Sequence, residues 1–186
     1  GENLTALGFL ARLINKEVDK LLPNHMSLMH WLRSLYVDGA LQWSTPYGYS
    51  VTSVVYRYKK VMFHTAVNGL IDKCYIKQEE GVDKKRIRRS FIANYIHSID
   101  ASVVHRVADQ MEFDIGFVHD SFCCHAPNVK AMKRLLLKTY KEYFSRDLLE
   151  ELSKEIAITQ GTEPSERPQL GTLDVSKLHR CPYVFH

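Results

Sequence analysis

An α+β fold is predicted by two patterns that alternate along the 186 residues. Apolar residues recur at helical spacing within 4–36, 94–112 and 127–156, which is typical of helices that bury one face. β-Branched and aromatic residues dominate 54–77 and 113–126 on both sides of a turn signal, which is typical of hairpins. We therefore expect helices packed together with small antiparallel hairpins.

The composition excludes two broad classes of protein. Hydrophobic residues make up 45% and charged residues 25%, so disorder is not expected, and no apolar run approaches the roughly 18 residues of a membrane-spanning helix. The net charge of +4 is unevenly distributed, because residues 57–89 hold ten Lys or Arg against four Asp or Glu, a local +6 that leaves the remainder at −2. We expect no membrane partner, and the basic charge lies mainly in one segment.

Four cysteines occur at spacings that match no disulfide framework or zinc ribbon: Cys74, Cys123, Cys124 and Cys181. Reduced structural thiols are therefore expected. A zinc site remains an alternative, although two adjacent residues of a strand point to opposite faces. Its ligands would be Cys123, Cys124, His119 and His125.

Two helices are expected before residue 40. Residues 4–22 form an amphipathic pattern that the Pro-Asn pair at 23–24 ends. Residues 26–36 are so apolar that more than one face of the second helix has to be buried, and Asp-Gly at 38–39 stops it. Because large exposed apolar patches mark interaction surfaces, we expect these helices to contact another part of a larger protein.

Two hairpins are expected next. Residues 41–51 predict a strand, a Pro-Tyr-Gly turn and a second strand. In residues 54–77, Asn68-Gly69 separates two β-rich runs, and this dipeptide suits a type I′ turn because both central positions require positive φ. The second hairpin is predicted to be long.

This long hairpin and the residues after it are basic. Two-stranded ribbons fit the major groove of DNA, and aromatic residues interleave with the cations here. A solvated surface ribbon is the plain alternative. The candidate nucleic-acid-binding residues are Lys59, Lys60, Lys73, Lys77, Lys84, Lys85 and Arg86.

A helix and a tight hairpin follow. The helix is expected at 94–112, with Ser98 or Asp100 as its cap. In the hairpin, 113–126, apolar strands lead to a His-Asp-Ser tip at 119–121. An aspartate at such a tip is often explained by turn chemistry alone, so its function depends on the surrounding sequence.

Two further helices and a tail complete the chain. Pro127 suits the first turn of a helix with an apolar face over 129–143, and residues 148–156 continue as another helix. Residues 160–169 contain Gly and Pro and predict a linker before the tail.

The tip of the tight hairpin and the helix before it carry a resemblance to a known family. His-Asp-Ser-Phe at 119–122 lies between apolar strands, and Asn-Tyr-Ile-His-Ser-Ile-Asp at 94–100 precedes it. Together they strongly resemble the carboxy-terminal palm of the bacteriophage-type single-subunit DNA-dependent RNA polymerases, which include the mitochondrial and plastid enzymes. Ala-Ser-Val at 101–103 departs from the family's commoner Gly-Ser-His.

Weaker similarities extend this resemblance from about Trp31 to the last residue. Trp-Ser-Thr-Pro at 43–46 is similar to a family turn motif, although Tyr47 and Ser50 stand where the family has Asp and Pro. The aromatic ending, Pro-Tyr-Val-Phe at 182–185, resembles that of the organellar members.

The resemblance implies the carboxy-terminal part of a right-hand polymerase. Residues 1–53 would be fingers-type helices and a turn, and 54–90 a basic β-hairpin like the family's specificity loop, with a linker. Residues 91–160 would hold the palm helix, the catalytic hairpin and the helices after it. Residues 161–186 would be a linker and the carboxy-terminal tail.

The resemblance also implies template-directed nucleotidyl transfer with two Mg²⁺ ions. Asp120 would be the catalytic, metal-binding carboxylate, and His97 would bind the incoming nucleotide near its sugar. The family's other metal carboxylate has no match in this chain, so we expect one subunit of a split enzyme or a fragment, active only with a second polypeptide that carries the rest of the polymerase. The implied partners are template and promoter DNA, the RNA product and nucleoside triphosphates, and the implied location is a mitochondrion or the cytoplasm of a phage-infected bacterium.

Two alternative functions remain open from the sequence. Family A DNA polymerases also place a His-Asp pair at this hairpin, but a Glu usually follows, whereas Ser121-Phe122 resembles the RNA polymerase form. The chain could also be a non-catalytic nucleic-acid-binding module whose basic ribbon alone binds the phosphate backbone.

Overall fold

The computed structural model describes residues 6–67 and 70–180. Within them are five α-helices and three separate two-stranded antiparallel hairpins, which confirms the α+β prediction. The elements in chain order are α1 (Ala6–Leu21), α2 (Pro23–Ser34), β1 (Leu41–Ser44), β2 (Ser50–Ser53), β3 (Tyr56–Val67), β4 (Leu70–Val82), α3 (Lys84–Gln110), β5 (Ile115–Val118), β6 (Ser121–Cys124), α4 (Val129–Phe144) and α5 (Leu148–Gln160). Short 3₁₀ helices lie at Ala126–Asn128 and Val175–Arg180.

The rest of the fold is assembled on α3. Its 27 residues extend about 40 Å at 1.5 Å per residue. One apolar side chain in each turn is buried: Ile87, Phe91, Tyr95, Ile99, Val103 and Val107. This row contributes to two apolar cores, one along each half of the helix.

The first core lies between α2, β1, α5 and the amino-terminal half of α3. The ring of Trp43 packs edge-on against Phe91, with 5.4 Å between the ring centroids. Trp43 Nε1 donates a hydrogen bond to Ser98 Oγ at 2.9 Å. The buried members are Trp31, Leu32, Leu35, Tyr36, Leu41, Trp43, Ile87, Phe91, Tyr95, Ile99, Leu152 and Ile156. This core holds the β1–β2 hairpin and α5 against α3.

The second core joins the carboxy-terminal half of α3 to α4 and to the β5–β6 hairpin. Its buried members are Val103, Val107, Met132, Leu136 and Tyr143. Ile115, Phe122 and Cys124, from the inner face of the hairpin, pack against this cluster. Tyr143 Oη donates to the carbonyl oxygen of Ser102 at 3.2 Å, which ties α4 to α3. The tight hairpin is therefore fixed against two packed helices.

α3 begins ten residues earlier than the sequence analysis predicted, so the proposed caps Ser98 and Asp100 are wrong. The N-cap is Asp83, whose side chain accepts a hydrogen bond from the backbone N–H of Arg86 at 3.0 Å. Ser98 is buried inside the helix and donates to the carbonyl oxygen of Tyr95. The segment from residue 84 to 90, expected to be a linker, is helical because Ile87 packs in the first core in register with the rest of the buried row.

The long hairpin is confirmed. Within the described residues, its strands β3 and β4 form a two-stranded ribbon, paired with each other. Its strands share twelve paired positions, with one irregularity at residues 57 and 58. The backbone N–H of Asp83 donates to the carbonyl oxygen of Val55 at 2.7 Å, which anchors the base of the ribbon at the start of α3. The predicted turn at Asn68-Gly69 lies outside the described residues, as do Cys181 and the terminal motif at 182–185.

The first two helices are confirmed, and α1 is almost uncovered. No residue of α1 is buried, and Leu7 is 78% exposed. The large apolar side chains that it presents are Leu7, Phe9, Leu10, Leu13, Ile14, Val18 and Leu21. Within the described residues, no helix has the length and apolar character needed to span a bilayer.

Candidate active site and nucleic-acid interface

The β5–β6 hairpin displays Asp120 at a two-residue turn. Val118 pairs with Ser121, so His119 and Asp120 form the loop between them. His119 has φ of 57°, the one positive value among the described residues other than glycine. Positive φ at the first loop residue alone is the pattern of a type II′ turn, where glycine is favoured, and a histidine there costs roughly 1–2 kcal/mol. Strain of this kind concentrates at functional sites, because the surrounding packing has to maintain it.

The tip of this hairpin faces a cavity of about 410 Å³ against α3. Its lining residues are His97, Asp100, Ala101, Val104, His119 and Asp120. The four that belong to α3 lie at positions i, i+3, i+4 and i+7, so they share one face of the helix. The structure thus brings together the two residues that the sequence analysis assigned to catalysis and nucleotide binding, His97 and Asp120.

Two carboxylates act on each other across this cavity. Burial raises the pKa of Asp100, the nearby negative charge of Asp120 raises it further, and the neighbouring His97 opposes the change. Tyr140 of α4 packs against the second core, as do Phe122 and Cys124 of the hairpin, and burial together with the charges of Asp100 and Asp120 raises the pKa of Tyr140. Like charges that raise a neighbour's pKa favour binding of a proton or a cation between them.

The oxygen donors at this cavity suit a hard divalent cation. Mg²⁺ prefers carboxylate oxygens and is usually held by one or two of them together with phosphate and water. Within residues 6–67 and 70–180, no group of three Asp, Glu, His or Cys side chains is close enough to hold an ion. Asp120 and Asp100 therefore fit Mg²⁺ as part of a ligand set that phosphate oxygens and other carboxylates would complete.

The zinc alternative finds no support in the geometry. Cys124 packs inward in the second core, whereas Cys123 is exposed on the opposite face of the hairpin. Cys123 lies across from Gly116, where an added Cβ would be only 2.6 Å from Cys123 Sγ. These cysteines and the two nearby histidines, all of them described, form no group that could hold a metal.

The ribbon separates its candidate cations onto two faces. Side chains directly opposite in an antiparallel pair share a face, and successive residues alternate. Lys60 lies opposite Lys77, and Lys73 lies opposite His64, on the same face as Tyr75. Lys60 Nζ lies 4.6 Å from the centroid of the Tyr75 ring. We call these five residues the cationic face of the ribbon.

The other face of the ribbon is mostly apolar and carries Lys59. Val61 pairs with Ile76 and Phe63 with Cys74 on this side. Lys59 pairs with Gln78 and has no second cation across from it. The structure therefore separates Lys59 from the other candidate lysines of the ribbon.

The remaining candidates lie in the first turn of α3. Lys84 Nζ contacts Asp38 Oδ2 at 2.7 Å, an exposed ion pair that joins α3 to the loop after α2. Lys85 and Arg86 are exposed. Lys60 and Lys77 are directly opposed like charges, which destabilise a strand pair, so this pair indicates an anionic partner more specifically than the helix-surface cations do.

Sequence reasoning did not assign Asp100 or Tyr140 to the site. The helical spacing between His97 and Asp100 was a usable signal, because i and i+3 lie on one helix face. It was missed because Asp100 was interpreted as a helix cap. Tyr140 reaches the site only through the packing of α4 on α3, which no local pattern shows.

Comparison with known proteins gives one family. The family model for DNA-dependent RNA polymerase matches residues 2–164. DNA-directed RNA polymerase 3, chloroplastic, of Nicotiana sylvestris is 29% identical over 78% of this chain and 15% of the relative. DNA-directed RNA polymerase 2A of Nicotiana tabacum is also 29% identical, over 78% of this chain and 44% of the relative.

A third relative is more distant but covers more of the chain. The mitochondrial DNA-directed RNA polymerase of Mus musculus is 21% identical over 95% of this chain and 17% of the relative. The chain spans 15% to 44% of the length of these three relatives. Because the family model covers most of the 186 residues, the chain belongs to the phage-type family of DNA-dependent RNA polymerases.

Proposed function

We propose that this chain forms the carboxy-terminal palm and part of the fingers of a DNA-directed RNA polymerase, in which Asp120 is a catalytic Mg²⁺ ligand. The observation that carries the proposal is the position of Asp120, on a strained two-residue turn that faces the same cavity as His97 and Asp100. Loss of RNA synthesis in an Asp120→Asn polymerase that still binds DNA tests this assignment.

The residues of the chain act by position and charge. Asp120, together with ligands from outside this chain, would hold Mg²⁺ ions, whose charge would activate the primer 3′-hydroxyl and neutralise the triphosphate. The packing of the hairpin on α3 and α4 fixes the Asp120 carboxylate, so little reorganisation is needed when charge develops. Asp100 adds negative charge to the same cavity and strengthens its attraction for a cation.

The site requires ligands from other parts of the polymerase. The sequence of this chain has no match for the family's other metal carboxylate, so we propose that a further polypeptide segment supplies it, on the same chain or on a second one. The exposed apolar face of α1 is the proposed contact with that segment, since an apolar surface of this extent is otherwise rare on a soluble domain. Most of the length of the larger relatives lies outside the matched region.

The alternatives are less well supported. The family match names an RNA polymerase and so favours RNA synthesis over a family A DNA polymerase. A non-catalytic binding module would not require an acidic cavity beside the catalytic motif, whereas the structure places two carboxylates there. Two of the three relatives are named as a chloroplastic and a mitochondrial enzyme, and we propose an organelle as the location.

We expect His97→Ala to weaken discrimination between ribonucleotides and deoxyribonucleotides. His97 lines the cavity one helical turn from Asp100, and a site that hydrogen-bonds a hydroxyl penalises a substrate that lacks it. The measurement is kcat/KM for ATP and dATP with the assembled polymerase. His105→Ala, on the same helix but beside Tyr49, is the matched control. An unchanged ratio in His97→Ala would give His97 a purely structural role.

We expect the cationic face of the ribbon to bind DNA and the opposite face not to. Directly opposed lysines repel each other unless an anion lies between them, and Lys60 and Lys77 are such a pair. In a double variant, Lys60→Gln with Lys77→Gln, the salt dependence of DNA binding should fall by about 1.8 in log–log slope, or 0.9 for each lost phosphate contact.

The matched control removes the same charge elsewhere. Lys59→Gln with Lys84→Gln changes one lysine on the opposite face of the ribbon and one paired with Asp38. The slope is measured with the assembled polymerase on promoter DNA. An equal decrease of this slope in both double variants would show that net charge, and not the cationic face, determines binding.

A further inference from the structure

The outer surface of α4 carries a second concentration of positive charge that the catalytic site does not explain. Five cations occur in its 16 residues: Lys130, Lys133, Arg134, Lys138 and Lys141. The single acid of the helix, Glu142, pairs with Arg106 of α3 at 3.3 Å. By sequence α4 has a net charge of +4, the same as the whole chain. A positive charge density of this kind is typical of a surface that binds a polyanion.

The five cations form one face of the helix. Relative to Lys130, the others lie at i+3, i+4, i+8 and i+11, the spacing of a single helical stripe. The buried residues of α4 lie on the opposite side, toward α3: Met132, Leu136, Thr139 and Tyr143. The stripe extends about 16 Å along the helix at 1.5 Å per residue. It borders an open depression of about 420 Å³ lined by Lys130, Lys133, Arg134 and Leu137.

The cations of the stripe are arranged differently from those on the exposed faces of α5 and α1. On α5, Lys154 pairs with Glu150 at 2.6 Å, and two acids occupy the first turn, as helix electrostatics favour. On α1, Lys20 pairs with Glu17 at 2.7 Å. In α4 no acid lies in the first turn, and like charges repel at i and i+4. An anionic ligand would remove this unfavourable arrangement.

The helix that carries the stripe also packs against the catalytic hairpin, since residues of both contribute to the second core. Tyr140 of α4 packs against the second core, as do Phe122 and Cys124 of the hairpin. Burial raises the pKa of Tyr140, and the charges of Asp100 and Asp120 raise it further. Lys133 lies seven residues before Tyr140, about two turns, and therefore on the same edge of the helix. Lys133, at one edge of the cationic stripe, thus lies about 10 Å along α4 from Tyr140.

We propose that the cationic stripe of α4 binds the phosphate backbone of the nucleic acid held by the polymerase, at a contact separate from the β3–β4 ribbon. The proposal rests on the proposed polymerase function and adds to it a second phosphate-binding surface beside the catalytic hairpin. Contacts of this kind position a duplex without reading its sequence, so binding through α4 is independent of promoter sequence.

The test uses the assembled polymerase and a labelled RNA–DNA primer–template scaffold. The variant is Lys130→Gln with Arg134→Gln and Lys138→Gln, since glutamine keeps helix propensity. The control, Lys16→Gln with Lys20→Gln and Lys154→Gln, removes the same charge from α1 and α5. The slope of log K against log salt should fall by about 2 to 3 in the variant and stay unchanged in the control. The loss should be equal for scaffolds of unrelated sequence.

Each other outcome counts against the inference. Normal binding by the unmodified polymerase with an unchanged slope in the α4 variant would overturn it while leaving the proposed function intact. Loss of binding to polyglutamate with unchanged binding to the scaffold would assign the stripe to an acidic protein partner. Failure of the unmodified polymerase to bind the scaffold would overturn the proposed function and this inference with it.

Discussion

An Asp120→Asn polymerase is expected to lose RNA synthesis while it keeps its fold and its affinity for DNA. The substitution is nearly isosteric, so the β5–β6 turn should persist, but it removes the negative charge that a hard cation requires. Removal of a single catalytic electrostatic contact often lowers kcat by about 10² to 10³, and loss of a metal ligand should exceed that range. The measurement is single-turnover extension of an RNA primer on a DNA template.

The control for this prediction is Asp114→Asn. Asp114 is exposed, precedes the same hairpin and does not line the cavity. We expect extension at a nearly normal rate in this variant. Near-normal extension by Asp120→Asn itself would contradict the metal-ligand assignment, and with it the proposed role of the hairpin.

Phe91→Ala is expected to produce the largest loss of stability. The side chain is fully buried where α3 crosses β1, and its ring contacts Trp43 and Tyr95 with centroid distances of 5.4 and 6.2 Å. Removal of a buried phenylalanine creates a cavity and typically costs about 3–5 kcal/mol. Chemical denaturation of the 186-residue chain measures the free energy of unfolding. This loss is a large fraction of the roughly 5–15 kcal/mol by which folded domains are stable.

Ile96→Ala provides the matched control on the same helix. Ile96 is 48% exposed, so truncation should change the free energy of unfolding by less than about 1 kcal/mol. A similar loss in both variants would show that the first core is not assembled around Phe91 as described.

Local sequence signals predicted most of the elements that position the site. The hairpin with Asp120 at its tip, the β1–β2 turn and the ribbon were predictable because their turn residues and β-rich flanks are short-range features. Helix existence was likewise predictable from apolar periodicity, as in α1, α2, α4 and α5.

The errors have physical causes. The start of α3 was missed because the density of charge at 84–89 obscured the buried positions Ile87 and Phe91, whose role is set by tertiary packing. The membership of Asp100 and Tyr140 in the site depends on how two helices and a hairpin meet, which local periodicity does not show. That Lys60 and Lys77 lie opposite each other follows from the strand register, which the sequence alone does not define.

Metal-directed cleavage tests the central claim most directly. Fe²⁺ in place of Mg²⁺ generates hydroxyl radicals at its binding site when ascorbate and peroxide are added, and mass spectrometry locates the resulting cuts in the polypeptide. If Asp120 binds the catalytic metal, cuts should occur in the β5–β6 hairpin and in α3 near Asp100 in the assembled polymerase, and they should be lost in Asp120→Asn. Cuts that persist in Asp120→Asn, or that never occur at this hairpin, would contradict the claim that Asp120 binds the catalytic metal.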